Sequence, residues 1–290
     1  MRIMTNVSSL TAQEANANTN NRMTSSLEKL STGYQINKAS DDASGLSIAD
    51  KLRTQANALN QAVSNGNSAI TLTQIADKAM AEQSNILDVV KQKLVQASTA
   101  TTSAEGIEAI GKDITKLLDQ LDNIAAQTSY NGTTLLQASA AGTGLSSALT
   151  FQMGANAADT IKTHGSAQAN TSGLDGAGSA YGAANAWVAT GNATNMQGSA
   201  RALLASIDGS ITTLNAYRAD FGSTQNQLES SVRNLMTQVT NTKAAESVIR
   251  DVDYAQESAN FNKQNIIAQA GTYAISQANA TSQNVLRLLQ

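Results

Sequence analysis

Few residues in this chain have the types and spacing that chemistry needs. Its single histidine, His164, sits in a Gly/Ser-rich stretch with no cysteine and no acidic cluster around it. A zinc site of the His-Glu-x-x-His kind cannot be built from it, and it reads as a solvated loop histidine. The adjacent carboxylates Asp41 and Asp42 could hold a cation or share acid and base work. At the start of a helix such residues more often cap free N–H groups and match the dipole, and that reading is preferred. Gly142-Thr-Gly144 and Gly173-Leu-Asp-Gly176-Ala-Gly178 have the glycine density of phosphate loops. Neither lies between a strand and a helix with a lysine, so both read as loop glycine. Trp187, in polar surroundings, is either a stacking platform for a ligand or, by preference, the anchor of a small subdomain. Ser166, Thr171, Ser172, Ser179, Thr190 and Thr194 are candidate O-glycosylation hydroxyls, or plain solvated linker. Asn170-Thr-Ser172 and Asn192-Ala-Thr194 fit the N-glycan acceptor pattern, which has force only in a eukaryotic secretory context. No catalytic, metal-binding or cofactor-binding residue is expected, no cofactor, and no enzymatic activity.

The composition favours long helices over a compact globule. At 290 residues the chain has length for about two domains, but its apolar set is thin. Aromatics make up 3%, alanine supplies much of the 41% hydrophobic fraction, and charged residues are 14%. Such a chain, with apolar residues in a rhythm near 3.5, builds extended helices packed side by side. There is no proline and no cysteine. Nothing therefore kinks a helix or leaves slow cis/trans isomers in a chain that must thread and refold, and disulfides play no part. A net charge of −3, a pI near 5.2 and the lack of any Lys/Arg block make nucleic acid and anionic membrane poor partners. Residues 1–7 carry no apolar run of a secretory leader, and Gln264 to Leu286 is interrupted throughout by Gln, Asn, Ser and Thr. We expect no membrane insertion, and no cleaved signal peptide if the protein leaves the cell.

Three apolar seams organise the helices. The strongest runs Ile107, Ile110, Ile114, Leu117, Leu121 and Ile124, a 3-4-3-4-3 spacing in which each side chain finds a hole on a facing helix. A second uses Leu204, Ile207, Ile211, Leu214, Phe221, Leu228, Val232, Leu235 and Val239. A third, looser one runs from Ile48 to Ala97 with no strong breaker except Gly66, a helix about 80 Å long that needs neighbours along its length. The first two seams are expected to pack on each other, bringing the two ends together. The terminal stretches, with Leu10, Met23, Leu27 and Leu30 at one end and Ile266, Ile267, Val285, Leu286, Leu288 and Leu289 at the other, are weaker in apolar content. They are expected to be disordered until partners supply packing. Ser31 to Gly45 reads as a loop closing on an N-cap cluster. Asn131-Gly132 marks a tight turn between short strands, Phe151 to Asn156 and Asp159 to Thr163 are strand pieces, and Ala167 to Ala200 reads as a loosely folded Gly/Ala/Ser-rich surface insert.

Several stretches together resemble the bacterial flagellins. They are Leu27 to Asn37, Asp41 to Asp50, Thr128 to Leu136, Phe151 to Asn156, Ile249 to Ala259 and Gln277 to Leu289, covering about 1–160 and 200–290. The wording of the helices is most similar to flagellins of the Campylobacter and Arcobacter group. The resemblance implies a mainly α fold: a long antiparallel helical bundle of N- and C-terminal segments, a small β-hairpin region and a short central insert. It implies inner terminal helices at 1–45 and 250–290, an outer bundle at 46–140 and 200–249, and an exposed insert at 141–199.

The same resemblance implies a structural subunit that polymerises into the extracellular flagellar filament after export, unfolded, through the flagellar type III apparatus. Its implied partners are further copies of itself, the filament cap, hook-associated proteins and an export chaperone at the C-terminal helix. A hook–filament junction protein shares the terminal helices, and a secreted coiled-coil adhesin or effector is the alternative from another class. In flagellins detected by the vertebrate Toll-like receptor, the contact patch falls at positions matching Val89, Lys93 and Asp113. With valine and lysine where that patch has arginine and leucine, weak receptor activation is expected, unless Val89 simply packs in the subunit core.

Overall fold

The structure, a computed structural model, describes residues 6–137, 148–163, 167–190 and 193–288. Its elements follow in chain order: α1 (Val7–Thr32), α2 (Ala43–Ala97), α3 (Ala104–Gln127), β1 (Ser129–Tyr130), β2 (Thr133–Thr134), β3 (Thr150–Gln152), β4 (Thr160–Lys162), α4 (Asp175–Thr190), α5 (Ala193–Arg250) and α6 (Tyr254–Leu288). The chain divides into two compact units, residues 1–57 with 239–290 and residues 58–238, the divisions falling within α2 and α5.

Helix ends are set by local chemistry. The Asn6 side chain accepts from the Ser9 N–H at 3.2 Å to start α1, and Gly33, at φ 77°, closes it with its N–H on the Lys29 carbonyl. Asp42 Oδ1 accepts the N–H groups of Ser44 and Gly45 at 3.0 and 2.9 Å, which makes it the cap of α2. Ser103 caps α3 through the Gly106 N–H.

In the unit of residues 58–238, α2, α3, α4 and the first half of α5 share one core that includes Met80, Leu87, Leu94, Ile107, Ile114, Leu118, Ile207, Leu214 and Phe221. On α3 the predicted narrow seam becomes a broader face. Ile107, Ile110, Ile114 and Leu121 are buried, but so are Leu118 and Ala125, while Leu117 and Ile124 lie at the half-buried edges. A helix with neighbours on more than one side buries a wider stripe than a two-stranded coil does. Farther along α5, Leu228, Val232 and Leu235 are buried, and Val232 and Met153 fill the space that the missing side chain of Gly66 leaves on α2.

Asn131 and Gly132 both have positive φ, 50° and 81°, so the two-residue turn between β1 and β2 matches the twist of its strands and pairs Tyr130 with Thr133. β3 and β4 form a second antiparallel pair, with Phe151 opposite Ile161. The stretch after Ala167 corrects the expectation of a loose surface insert. It forms α4, which packs on α3, and Ala167, Ala169, Leu174, Ala177, Ala180 and Ala184 are all buried in the main core. An alanine face lets two helix backbones approach closely, so low hydropathy does not mean exposure.

Candidate interaction surfaces

Among the chemical candidates, Asp41, Asp42 and Gly173 take structural roles. Asp41 Oδ2 accepts the backbone N–H groups of Asn37 and Lys38 at 3.1 and 3.0 Å. The bond from Lys38 leads the effects that hold its carboxyl below the usual range. The Glu28 carboxylate, 2.7 Å away, raises the Lys38 ammonium above its usual value. The Gly173 N–H turns back to Asn170. His164, Ser166, Gly142 and Gly144 lie outside the described residues, and so do the side chains of Trp187, Thr190 and Thr194. Among the described residues no three acidic, histidine or cysteine side chains are grouped to hold a metal, and no helix is long and apolar enough to cross a membrane.

The terminal helices α1 and α6 pack against each other. The seam is made of small and polar residues. On α1, Ser9, Thr19 and Ser26 are buried, and Ala12, Asn16, Met23 and Leu30 are half-buried between them, a continuous heptad spacing. On α6 the matching series is Glu257, Phe261, Gln264, Ala268, Gly271, Ile275 and Ala278, all half-buried. Met23 and Leu30, expected on an intersubunit surface, therefore lie on this seam. Leu10 (53% exposed), Leu27 (55%), Ile266 (68%) and Ile267 (41%) lie outside it, together with Val7 and Tyr273. The side chains of Val285, Leu286 and Leu288, and all of Leu289, fall outside the described residues.

The turns that join the terminal helices to the rest are tied together. Gln35 N–H donates to the Arg250 carbonyl at 2.7 Å and Val252 N–H to the Gly33 carbonyl at 3.0 Å. The Arg250 guanidinium stands 4.3 Å from the centre of the Tyr34 ring. The Tyr254 hydroxyl occupies the space beside Gly33 that a side chain there would take. Both halves of this latch lie in stretches that carry the resemblance, Leu27 to Asn37 and Ile249 to Ala259, but their pairing is not read from the sequence, because its backbone bonds leave no compositional trace.

On α2 and α3, Lys93 Nζ meets Asp113 Oδ2 at 3.0 Å, while Val89 is 38% exposed. Two polar contacts, one buried and one half-buried, fix the segment leading into α4. Gln83 Nε2 donates to the carbonyls of Leu121 (3.2 Å) and Ala169 (2.7 Å). Both Asp122 carboxylate oxygens accept from Thr171, one from its N–H and one from its hydroxyl, each at 2.7 Å. Thr171 is thereby a poor glycosylation position, its hydroxyl being half-buried and spent on Asp122. Ser172 and Ser179 are exposed.

The sequence has relatives among known proteins. The family described as the bacterial flagellin N-terminal helical region matches residues 3–141, and the bacterial flagellin C-terminal helical region matches residues 204–289. The chain is 36% identical to flagellin of Bacillus subtilis over the full length of both. It is 33% identical to the flagellar filament 30.7 kDa core protein of Treponema maltophilum over 98% of each. The crystal structure of Bacillus cereus flagellin superposes with a TM-score of 0.49 at 26% identity, covering 63% of this chain and 94% of that one.

Proposed function

The chain belongs to the bacterial flagellin family, structural proteins that polymerise into the extracellular flagellar filament, and we propose that the exposed apolar flank of its terminal helix pair is the surface through which copies assemble. The observation that carries this reading is the pattern on α1 and α6. Their mutual seam is filled by small and polar residues, while Leu10, Leu27, Ile266 and Ile267 point away from it with large exposed areas. Apolar surface of that kind on a helix pair is stabilised by burial against further helices.

On this reading residues 1–45 and 250–290 line the filament core. Residues 46–140 and 200–249 form the outer bundle, with 141–199 inserted between them, where Ser172 and Ser179 are the exposed hydroxyls for glycosylation. The subunit is exported unfolded by the flagellar type III apparatus. It meets an export chaperone at its C-terminal helix, then the cap and hook-associated proteins. Its role is architectural, not catalytic. The names of its relatives, flagellin and filament core protein, favour a filament subunit over a junction protein. The wording of its helices supports kinship with the Campylobacter and Arcobacter group.

Ile266→Asp tests the surface. Since Ile266 is 68% exposed in the single chain, the variant should keep the helical signal and thermal unfolding of the native monomer yet fail to polymerise, because assembly would bury a carboxylate. Polymerisation at the native rate would overturn the assignment.

A further inference from the structure

The α1–α6 seam poses a register problem, and the two helices carry one layer that solves it. Ser9, Ala12 and Thr19 on α1, and Ala268 and Ala278 on α6, are nearly interchangeable in size. Such residues alternate with larger ones (Met23, Leu30, Phe261 and Ile275), so a slip of one heptad costs less packing here than in an all-aliphatic seam. In coiled coils, register under these conditions is set by a polar residue that is accommodated in only one alignment.

Here that residue is Asn16. Its Oδ1 is buried and has no hydrogen-bond partner. The backbone of Gly271 lies against it, so close that a Cβ at Gly271 would come within 3.2 Å of the oxygen. Counting both heptads outward from this contact places Ala12 opposite Ile275, Thr19 opposite Ala268 and Ser26 opposite Phe261. The two ends agree with that alignment. Asn6 Nδ2 donates to the Ala278 carbonyl at 3.1 Å, and the Tyr254 hydroxyl rests beside Gly33.

Gly271 is the only glycine in α6. A slip of one heptad in either direction would set Asn16 against Gln264 or Ala278. The amide would then meet a side chain in place of bare backbone. We propose that Asn16 and Gly271 form a register lock along the middle of the terminal helix pair, in series with the latch at Gly33 and Arg250, and that Asn16 is a positioning residue whose role is to hold the native alignment against heptad slips. Its lone buried oxygen makes it a poor stabiliser in itself, as expected of a group that sets specificity. The pairing lies within one subunit, so the claim stands or falls separately from the assembly surface.

The chain has no cysteine, which makes engineered disulfides a clean readout in the full-length polymerised protein. Ala12→Cys with Ile275→Cys reports the native register, and Ala12→Cys with Ala268→Cys reports a one-heptad slip. With Asn16 in place, intramolecular cross-linking should occur only in the first pair. Adding Asn16→Leu should raise the yield of the slipped pair about tenfold, at the expense of the native one. If the Asn16→Leu protein cross-links only in the native pair, the proposal is wrong. Should Asn16→Leu not polymerise, Gly271→Ala decides. Alone it should slow polymerisation about tenfold, and Asn16→Ala added to it should restore the rate. A double variant as slow as the single one would equally overturn the lock.

Discussion

At the scale of single residues, the polar groups inside the 58–238 unit carry as much information as its apolar ones. Gln83 is fully buried, and its amide nitrogen ties α2 to the carbonyl of Leu121 on α3 and to that of Ala169 in the segment before α4. Replacing it with leucine keeps the volume near native but removes the buried donor whose hydrogen bonds both carbonyls accept. Gln83→Leu should destabilise the protein by roughly 1–3 kcal/mol, read as a lower urea midpoint with an unchanged slope. Val89 and Lys93 raise a different question. The Lys93 ammonium is engaged with Asp113 at 3.0 Å, and Val89 offers 38% of its surface to solvent. A receptor patch that needs an arginine and a leucine at these positions would find neither, and a charge-assisted hydrogen bond of the missing kind is worth about 1.5–3 kcal/mol. The protein should activate the vertebrate receptor weakly in a reporter-cell titration, and Val89→Arg with Lys93→Leu should raise its potency. A half-maximal response at the concentrations of strongly stimulatory flagellins would contradict this.

Among the elements, legibility in the sequence followed side-chain size. Ile107, Ile110, Ile114 and Leu121 announce α3 because large aliphatic residues stand out against polar neighbours, and Asn131-Gly132 announces its turn because positive φ at two successive positions demands such residues. The α1–α6 seam gives no such contrast. Ser9, Asn16, Thr19, Ala268 and Gly271 are as polar or as small as the residues around them, so attention goes to Leu10, Leu27, Ile266 and Ile267, which lie outside the seam. The helix α4 was missed for the same reason. Its buried face is Ala177, Ala180 and Ala184, a helical spacing that hydropathy alone does not reveal. Close approach of helices at small residues has a testable consequence at Gly66. A Cβ there would stand 2.5 Å from Val232 Cγ2 and 2.8 Å from Met153 Cε. Gly66→Leu should overpack that site and cost roughly 1–3 kcal/mol, despite the better helix propensity of leucine. An unfolding midpoint at or above native would show that α2 and α5 do not meet as described.

For the whole molecule, the two compact units differ in what holds them. The 58–238 unit has large aliphatic residues and Phe221 at its centre. The unit of residues 1–57 and 239–290 has small residues in its helix seam and keeps much of its large apolar surface outside. That imbalance is the physical signature of a part completed by neighbours, and it agrees with membership of a family whose proteins build filaments. The most direct test is electron microscopy of the purified full-length chain after salt-induced polymerisation, with native protein beside Ile266→Asp. Long, uniform filaments from the native chain and none from the variant are the predicted result. Native protein that stays monomeric or stops at small oligomers would contradict the account.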